Sequence, residues 1–396
     1  MIRHEREPLA LRLAPVELDG VRLKPVDSIS RALRGELAPI DAPPFRITDD
    51  DDADFVLATG FLDAFVYQRG FPRLKKAIRE LTDFDRLESR HVFFLNRDEP
   101  DLLDVSSTIY RASLDATRRD PGARAFPYET GDPGEPTFDD FDRAPYDVSF
   151  QGYVGSSLSR YRIAKSLLAT REPIRARVKP IEKWHGAQFE KEERERLRRE
   201  HRDLIRRSKI VMCPRGFGVN SMRFFETAAE GRIPLLVSDR AILPFADEID
   251  YDRLLPRLDE ARASRADVAV ADYLAGATEE EIRETAREWR RVWKRFFSPE
   301  GTVGAVLRFL ERRREAGYPS PTRRTESEDE RRRRETVEYV ALAKAADDAG
   351  ERTEALYYQF LALEAGGAEK ETLAQAGKLR TRAAMDDLNR AANRRK

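Results

Sequence analysis

Residues 208–245 combine glycines and arginines at spacings that suit the binding of a phosphorylated ligand. Gly216 and Gly218 lie in a turn between two apolar runs, where the absence of a β-carbon lets a ligand approach the backbone closely. Arg215 and Arg223 flank this turn and add positive charge. The free backbone N–H groups and the dipole of a helix that starts there would point at the same place. This combination predicts a binding site for a phosphate group.

The apolar pattern indicates the elements that must position these residues. A strand is predicted at 210–213, a helix after the turn, and a second strand at 233–237. Asn220 and Ser221 are residues of the kind that cap a helix N-terminus. Glu226 lies further along the helix, where its carboxylate can accept hydrogen bonds from the hydroxyls of a ribose. Phosphate and ribose together indicate a nucleotide.

The helical period divides the residues of this helix into two sides. The predicted apolar side comprises Met222, Phe225, Ala228 and Ala229. The predicted polar side comprises Arg223, Glu226, Thr227 and Glu230. The alternative to a nucleotide site is an ordinary strand–helix–strand unit, in which Arg215 and Glu226 form only a structural ion pair.

The same run resembles the signature of exostosin-like glycosyltransferases. The positions that carry the resemblance are Cys213, Pro214, Arg215, Gly216, Gly218, Ser221, Arg223, Glu226, Gly231, Ile233, Pro234, Asp239, Leu243, Pro244 and Phe245. So many matches at fixed spacing are more specific than a lone glycine motif. Arg232 departs from the family pattern, which usually has cysteine at this position. The resemblance extends more weakly back to about residue 45.

The resemblance implies an α/β protein of the GT-B type, in which two Rossmann-like domains face a cleft and the second domain binds a nucleotide-sugar donor. We expect a UDP-sugar as the donor and a glycan or related hydroxyl compound as the acceptor. The residues predicted to bind the donor are Arg215, Gly216, Gly218, Asn220, Ser221, Arg223 and Glu226. Because the nucleotide base cannot be inferred from this motif, another donor such as GDP-fucose is the alternative.

The resemblance also implies inversion at the anomeric carbon, which requires a general base for the proton of the acceptor hydroxyl. Asp98 and Glu99 follow a predicted strand at 91–95, and Asp63 follows the end of another strand. These carboxylates are the predicted catalytic candidates. The alternative for each of them is a solvated charge on a loop.

No metal or other cofactor is expected. Asp52, Ala53 and Asp54 form a D-x-D triplet, which in another class of glycosyltransferases holds a divalent cation against the diphosphate. Here the triplet lies in an acidic run at 49–54 and precedes a strand, whereas the ligand motif should follow one. The four histidines are scattered along the chain and form no cluster of metal ligands.

Composition excludes several other classes of protein. Lys plus Arg and Asp plus Glu both total 72, so the zero net charge gives no indication of a nucleic-acid partner. The single cysteine excludes an internal disulfide framework and suits a reducing compartment. Residues 1–15 are charged and broken by prolines, unlike a signal peptide or membrane anchor. We therefore expect a soluble, cytoplasmic protein without a membrane span.

Composition also divides the chain into segments. The predicted segments are an N-terminal lead-in at 1–44, a Rossmann-like acceptor domain at 45–135, a Rossmann-like donor domain at 146–310, a charged linker at 311–335 and a helical tail at 336–396. A stretch at 120–145 that is rich in Pro, Gly and Asp is predicted to cross between the domains. Strands that alternate with helices favour parallel sheets, which bind ligands at the carboxyl ends of their strands.

A second glycine-containing turn at 151–157 follows a predicted strand and leads into a helix near residue 159. In a GT-B arrangement this turn would face the cleft, and both a direct ligand role and a plain connection are consistent with its sequence. A late helix, at 278–297 or 303–310, is expected to cross back to the first domain, as in other GT-B proteins.

The tail is predicted to form a helical hairpin that resembles a single tetratricopeptide repeat. Because stable arrays need about three repeats, a helical cap, self-association or contact with another protein is expected instead. The charge-dense linker before it favours a separable module, so a chain that ends near residue 317 should remain soluble. The alternative is that Tyr357, Tyr358 and Leu361 pack on the first domain. A non-catalytic scaffold that works through this tail is the second functional alternative.

Overall fold

Two parallel β-sheets form the framework of the computed structural model, which describes residues 7–98, 102–136, 138–183, 190–318 and 328–393. The strands of the first half are β1 (Leu9–Leu13), β2 (Glu17–Leu18), β3 (Val21–Arg22), β4 (Lys24–Pro25), β5 (Phe45–Ile47), β6 (Phe55–Phe61), β7 (His91–Leu95), β8 (Thr108–Arg111) and β9 (Ala123–Ala125). Its helices are α1 (Asp27–Leu33), α2 (Asp63–Arg69), α3 (Phe71–Arg79) and α4 (Phe84–Leu87).

The first sheet has the order β5-β1-β6-β7-β8-β9, and each neighbouring pair on this path is parallel. Strand β4 pairs antiparallel with β6, and β2 and β3 form a separate hairpin. Every residue of β6, β7 and β8 is buried, as expected for a parallel sheet that is covered on both faces. The carboxyl ends of these strands therefore meet at one edge of the sheet.

The segment predicted as a lead-in contributes a strand to this sheet. In β1, Leu9 and Leu11 are fully buried, and the strand pairs with β5 on one side and β6 on the other. This strand was not predicted, because it is short and lies between prolines. The stretch at 120–145 is likewise more ordered than predicted, since β9 adds an edge strand and Tyr128 is buried.

The second sheet has the order β11-β10-β12-β13, and all of its pairs are parallel. Its strands are β10 (Tyr146–Tyr153), β11 (Ala176–Ile181), β12 (Ser208–Pro214) and β13 (Ile233–Val237). The helices of this half are α5 (Asp139–Asp142), α6 (Leu158–Ala169), α7 (Lys191–Arg206), α8 (Met222–Ala229), α9 (Tyr251–Leu254), α10 (Ala266–Ala275), α11 (Glu279–Val292) and α12 (Pro299–Glu315). Two parallel sheets flanked by helices confirm the predicted α/β fold class with two Rossmann-like domains.

Helix α12 crosses from the second domain back to the first, as expected of one of the two late helices. Arg308 donates a hydrogen bond of 2.9 Å from Nη1 to the carbonyl of Ile40. A Cβ at Gly304 would lie 1.9 Å from the same carbonyl oxygen, so this close approach requires glycine. Near the end of the helix, Arg314 forms an ion pair of 3.2 Å with Asp54 of the first domain.

The tail forms three helices, α13 (Glu328–Asp348), α14 (Arg352–Ala365) and α15 (Lys370–Asn393), instead of the predicted hairpin. Helices α14 and α15 pack on the second domain, where Tyr357 and Leu388 are each only 1% exposed, and α13 packs on α14. Arg162 of α6 forms a bidentate ion pair with Glu354, at 2.5 and 3.0 Å.

This packing differs from the prediction of a separable tail. The described contacts lie on the second domain, whereas the alternative named the first. Because truncation near Gly317 would expose the apolar side chains that the tail covers, we now expect the truncated protein to aggregate. Among the described residues, every helix is too short or too polar to cross a bilayer.

Candidate functional site

The glycine turn after β12 lies against the first domain. The Val219 N–H donates a hydrogen bond of 2.9 Å to Ser113 Oγ, and Asn220 Nδ2 donates one of 2.9 Å to the carbonyl of Ala112. Both acceptors follow directly after β8, at the carboxyl edge of the first sheet. The turn predicted to bind the donor is therefore located between the domains, where α/β proteins commonly bind ligands.

A second contact between the domains lies next to the turn. Two backbone hydrogen bonds, of 2.8 and 3.0 Å, join residues 114–116 to residues 240–242 in an antiparallel bridge. The side chains of Arg240 and Asp115 add an ion pair of 3.2 Å. These bonds fix the position of the turn relative to the first domain.

Arg223 is a buried cation in this turn region. Its side chain is 8% exposed, and its guanidinium lies over the ring of Phe150 at 5.3 Å from the centroid. Nε and Nη1 have no hydrogen-bond partner among the described residues, and burial lowers the pKa of this side chain. A buried charge without hydrogen bonds is costly. The arrangement is therefore suited to an anion that would accept hydrogen bonds from these nitrogens.

Arg160 is a second cation at the same place, and the sequence analysis missed it. Its Nε donates to the carbonyl of Arg215 at 2.8 Å, and its Nη1 donates to the carbonyl of Tyr153 at 3.3 Å. Burial, followed by the nearby Arg223 guanidinium, lowers the pKa of Arg160 to about 9. The available signal was an arginine three residues after Ser157, just beyond the second glycine-containing turn.

The two glycines of the turn lie next to side chains of different domains. A Cβ at Gly216 would lie 3.0 Å from Arg160 Nη2, whereas a Cβ at Gly218 would lie 2.4 Å from Asp98 Oδ1. The turn thus separates the arginines of the second domain from a carboxylate of the first. Arginines of the second domain and a predicted catalytic carboxylate of the first are thus brought to the same turn.

We expect the substitution Gly218→Ala to weaken the contact between the domains. The added Cβ would lie 2.3 Å from Ser113 Oγ, so the turn or the facing loop must shift, at a cost of about 1–3 kcal/mol. Thermal unfolding and UDP titration of the variant measure the effect. The matched control is Gly131→Ala, because no atom lies within 4 Å of a Cβ there. Equal stability of the two variants would contradict the interpretation that the close contact at Gly218 joins the two domains.

Helix α8 does not have the amphipathic arrangement that the sequence analysis predicted. Arg223, Thr227 and Glu230 are buried, whereas Met222 is 51% exposed. The polar side chains are accommodated by specific partners: Thr227 Oγ1 donates to the carbonyl of Arg223 at 2.6 Å, and Glu230 accepts from Arg206 at 2.8 Å. Because α8 is enclosed by the sheet and α11, its polar side is buried as well.

Ser221 occupies the backbone position of an N-cap, but its side chain makes no capping hydrogen bond. Its Oγ is buried and has no partner among the described residues. Glu226 lies one turn further on and contacts His201, with 3.1 Å between Oε2 and Nε2. The predicted ribose contact of Glu226 remains a prediction.

Two of the three predicted catalytic carboxylates are described. Asp98 accepts a hydrogen bond of 2.9 Å from the hydroxyl of Tyr128. Burial, followed by the Asp98 carboxylate, raises the pKa of Tyr128 well above its ordinary value, which keeps this donor protonated. Asp63 is the first residue of α2, and its carboxylate accepts a hydrogen bond of 2.8 Å from the N–H of Asn96. Burial raises the pKa of Asp63. Glu99 lies outside the described residues.

The D-x-D triplet has a structural role at the other side of the first sheet. Asp54 accepts hydrogen bonds of 2.8 Å from the Ala10 N–H and 2.8 Å from the hydroxyl of Tyr318. Asp52 is exposed and pairs only distantly with Arg86, at 3.8 Å. Within the described part of the chain, no group of three or more His, Cys, Asp or Glu side chains is arranged to hold a metal ion.

The protein is thus an α/β protein with two Rossmann-like domains, which meet at the glycine turn with Arg160 and Arg223 on the side of the second domain and Asp98 on the side of the first. Residues 143–272 match the family model of the exostosin GT47 domain. This match includes the glycine turn and all three arginines. The resemblance to exostosin-like glycosyltransferases is thereby confirmed for the second domain.

Individual relatives share this part of the chain. Exostosin-1 of Drosophila melanogaster is 30% identical over 131 residues, which is 33% of this chain and 17% of the relative. A probable glucuronosyltransferase of Oryza sativa subsp. japonica is 36% identical over 63 residues, or 16% of this chain and 14% of the relative. The chain thus spans less than a fifth of the length of either protein.

Among solved structures, a glycosyltransferase from Rickettsia africae is similar at 8% identity, with a TM-score of 0.35. The match covers 79% of this chain and 98% of that one.

Proposed function

We propose that this protein is a glycosyltransferase that transfers a sugar from a nucleoside diphosphate sugar to a hydroxyl group of a glycan or related acceptor. The observation that carries the proposal is the group of Arg160, Arg215 and Arg223 around a glycine turn, within an exostosin GT47 domain. A uridine diphosphate donor follows from the resemblance to the family.

The arginines would act on the leaving group. When the bond between the anomeric carbon and the diphosphate oxygen breaks, negative charge develops on the diphosphate. Arg223 can donate from the two nitrogens that lack partners among the described residues, and Arg160 lies beside it. Fixed donors that face developing charge stabilise a transition state more than water does, because they need no reorganisation. The N-terminus of α8 contributes its dipole in the same direction.

Asp98 is the proposed general base. It would take the proton of the acceptor hydroxyl while the hydroxyl oxygen attacks the anomeric carbon from the side opposite the diphosphate, which inverts the configuration. Asp98 contacts the glycine turn, whereas the hydrogen bond described for Asp63 is to Asn96 of the first domain. Asp98 is therefore the preferred candidate of the two. Tyr128 would hold the carboxylate in position through its hydroxyl.

A donor panel tests the proposal. Calorimetry with UDP, GDP and their sugar conjugates, followed by an assay for nucleotide release with glycan acceptors, separates three outcomes. Preferred binding of UDP with acceptor-dependent release supports the proposal. Preferred binding of GDP would change the donor to one such as GDP-fucose. Nucleotide binding without any transfer would favour a non-catalytic scaffold.

We expect transfer to persist in EDTA. In a metal-dependent enzyme a divalent cation neutralises the diphosphate, whereas here the arginines of the turn and the helix N-terminus are proposed to supply that charge. The measurement compares initial rates after dialysis against EDTA with rates after addition of manganese or magnesium. Loss of activity in EDTA and its return with manganese would contradict the proposal of a metal-independent site.

A further inference from the structure

The turn between β10 and α6 contacts the proposed donor site directly. Ser157 Oγ and Arg160 Nε both donate to the carbonyl of Arg215, at 3.0 and 2.8 Å. The ring of Tyr153 packs against that of Phe217, with 6.1 Å between centroids. Residues 153–157, here named the support turn, therefore pack against the glycine turn and help to fix its position.

The C-terminal tail contacts the support turn from its other side. Tyr357 of α14 donates a hydrogen bond of 2.7 Å to the carbonyl of Val154, and its side chain is 1% exposed. Thr381 of α15 shares a hydrogen bond of 2.9 Å with the hydroxyl of Tyr153. A Cβ at Gly155 would lie 2.1 Å from Thr381 Oγ1, so the two segments are in close contact.

Further contacts fix the tail along α6, the helix that starts at the support turn. One is the ion pair between Arg162 and Glu354. In addition, Asp387 accepts a hydrogen bond of 2.5 Å from the hydroxyl of Tyr161 and forms an ion pair of 3.1 Å with Lys165. The tail is therefore anchored on the element that carries Arg160. A chain of direct contacts leads from α15 through Tyr153 to the glycine turn.

We propose that the C-terminal helices are a working part of the donor site: Tyr357 and Thr381 position the support turn, which in turn positions Arg160 and the glycine turn for the diphosphate. This inference rests on the proposed function. The two residues are positioning residues, because each of them would act through the support turn that it contacts. Since coupling between two events is reciprocal, nucleotide binding should also strengthen the docking of the tail.

Substitutions that remove single hydroxyls test this proposal in the full chain. We expect Tyr357→Phe and Thr381→Val each to raise the Kd for UDP about two- to tenfold, the effect of one net hydrogen bond. The donor KM should rise in parallel while the acceptor KM stays unchanged. The matched controls are Tyr358→Phe, whose hydroxyl contacts only Arg162 at 3.4 Å among the described residues, and Thr381→Ser, which keeps the hydroxyl. Both controls should bind UDP like the wild type.

Hydrogen exchange provides a readout that needs no activity. In the wild type, UDP should slow exchange in α14 and α15, although it binds outside them. Tail variants that melt at a lower temperature but bind UDP normally would overturn the proposal and leave the tail a purely structural role.

If the wild type binds no nucleotide, the proposed function fails, but the positioning role is still tested. Without any ligand, Thr381→Val should speed exchange at residues 153–157 and 215–218 relative to Thr381→Ser. Equal exchange in the two variants would overturn the positioning role itself.

Discussion

The substitution Arg223→Met is expected to weaken UDP binding and, at the same time, to stabilise the protein without ligand. Loss of charge-assisted hydrogen bonds to a phosphate costs about 1.5–3 kcal/mol, which corresponds to roughly ten- to hundredfold in Kd. The stability gain has a separate cause. Replacing a buried charged group by an apolar side chain of similar length is often neutral or stabilising, by about 1–4 kcal/mol. Calorimetric titration with UDP and thermal unfolding measure the two effects.

The control is Arg291→Met on α11, where the arginine is 55% exposed and pairs with Glu288. Substitution of a surface residue of this kind changes stability by about 0.5 kcal/mol or less, and UDP affinity should not change. If Arg223→Met destabilised the ligand-free protein and left the UDP affinity unchanged, Arg223 would be a structural residue. The proposed diphosphate site would then be wrong.

The second large effect is expected for Asp98→Asn, which should reduce kcat by about 10²- to 10⁴-fold, the usual contribution of a general base. UDP binding should change little, because Asp98 belongs to the first domain and lies across the glycine turn from the arginines that are proposed to bind the diphosphate. Tyr128→Phe removes the hydroxyl that holds the carboxylate and should give a smaller loss in kcat. Single-turnover assays with saturating donor separate this loss from effects on binding.

Asp252→Asn, an exposed position on α9, is the matched control and should keep full activity. The companion variant Asp63→Asn decides between the two described carboxylates. If it loses activity while Asp98→Asn keeps it, Asp63 is the base. Because burial raises the pKa of Asp63 above 3.8 and only the ionised form accepts a proton, activity would then fall as the pH decreases through that raised value.

Where the sequence carried a local signal, the fold was predictable. Strand β13 was predicted at the bounds that the structure has, and so was β7, since each is a short apolar run between polar residues. The glycine turn between a strand and a helix was likewise predictable, because its residue types and spacing are themselves the signal, and its binding of a phosphate stays a prediction. Its position at the carboxyl end of β12 followed from the strand-to-turn-to-helix order that parallel sheets impose.

What the sequence could not provide depends on segments that are distant in the chain. Arg160 reaches the site because a helix begins opposite a turn 55 residues later. The polar side of α8 is buried because of the elements that pack around the helix, which the spacing of apolar residues within the helix does not reveal. The docking of the tail was unpredictable for the same reason: the apolar residues of a helix show that it needs a partner surface, but not which one.

Two of the connections between the domains also bear on the kinetics of the proposed turnover. Rotation of one domain against the other would break the backbone bridge between 114–116 and 240–242 and pull α12 away from Ile40. Large hinge motions of the kind that open many two-domain enzymes are therefore opposed at two separate places. In the proposed transferase, exchange of nucleotide for fresh donor would instead depend on movement of the loops where the domains meet. Product release, gated by such loops, would then set the turnover rate.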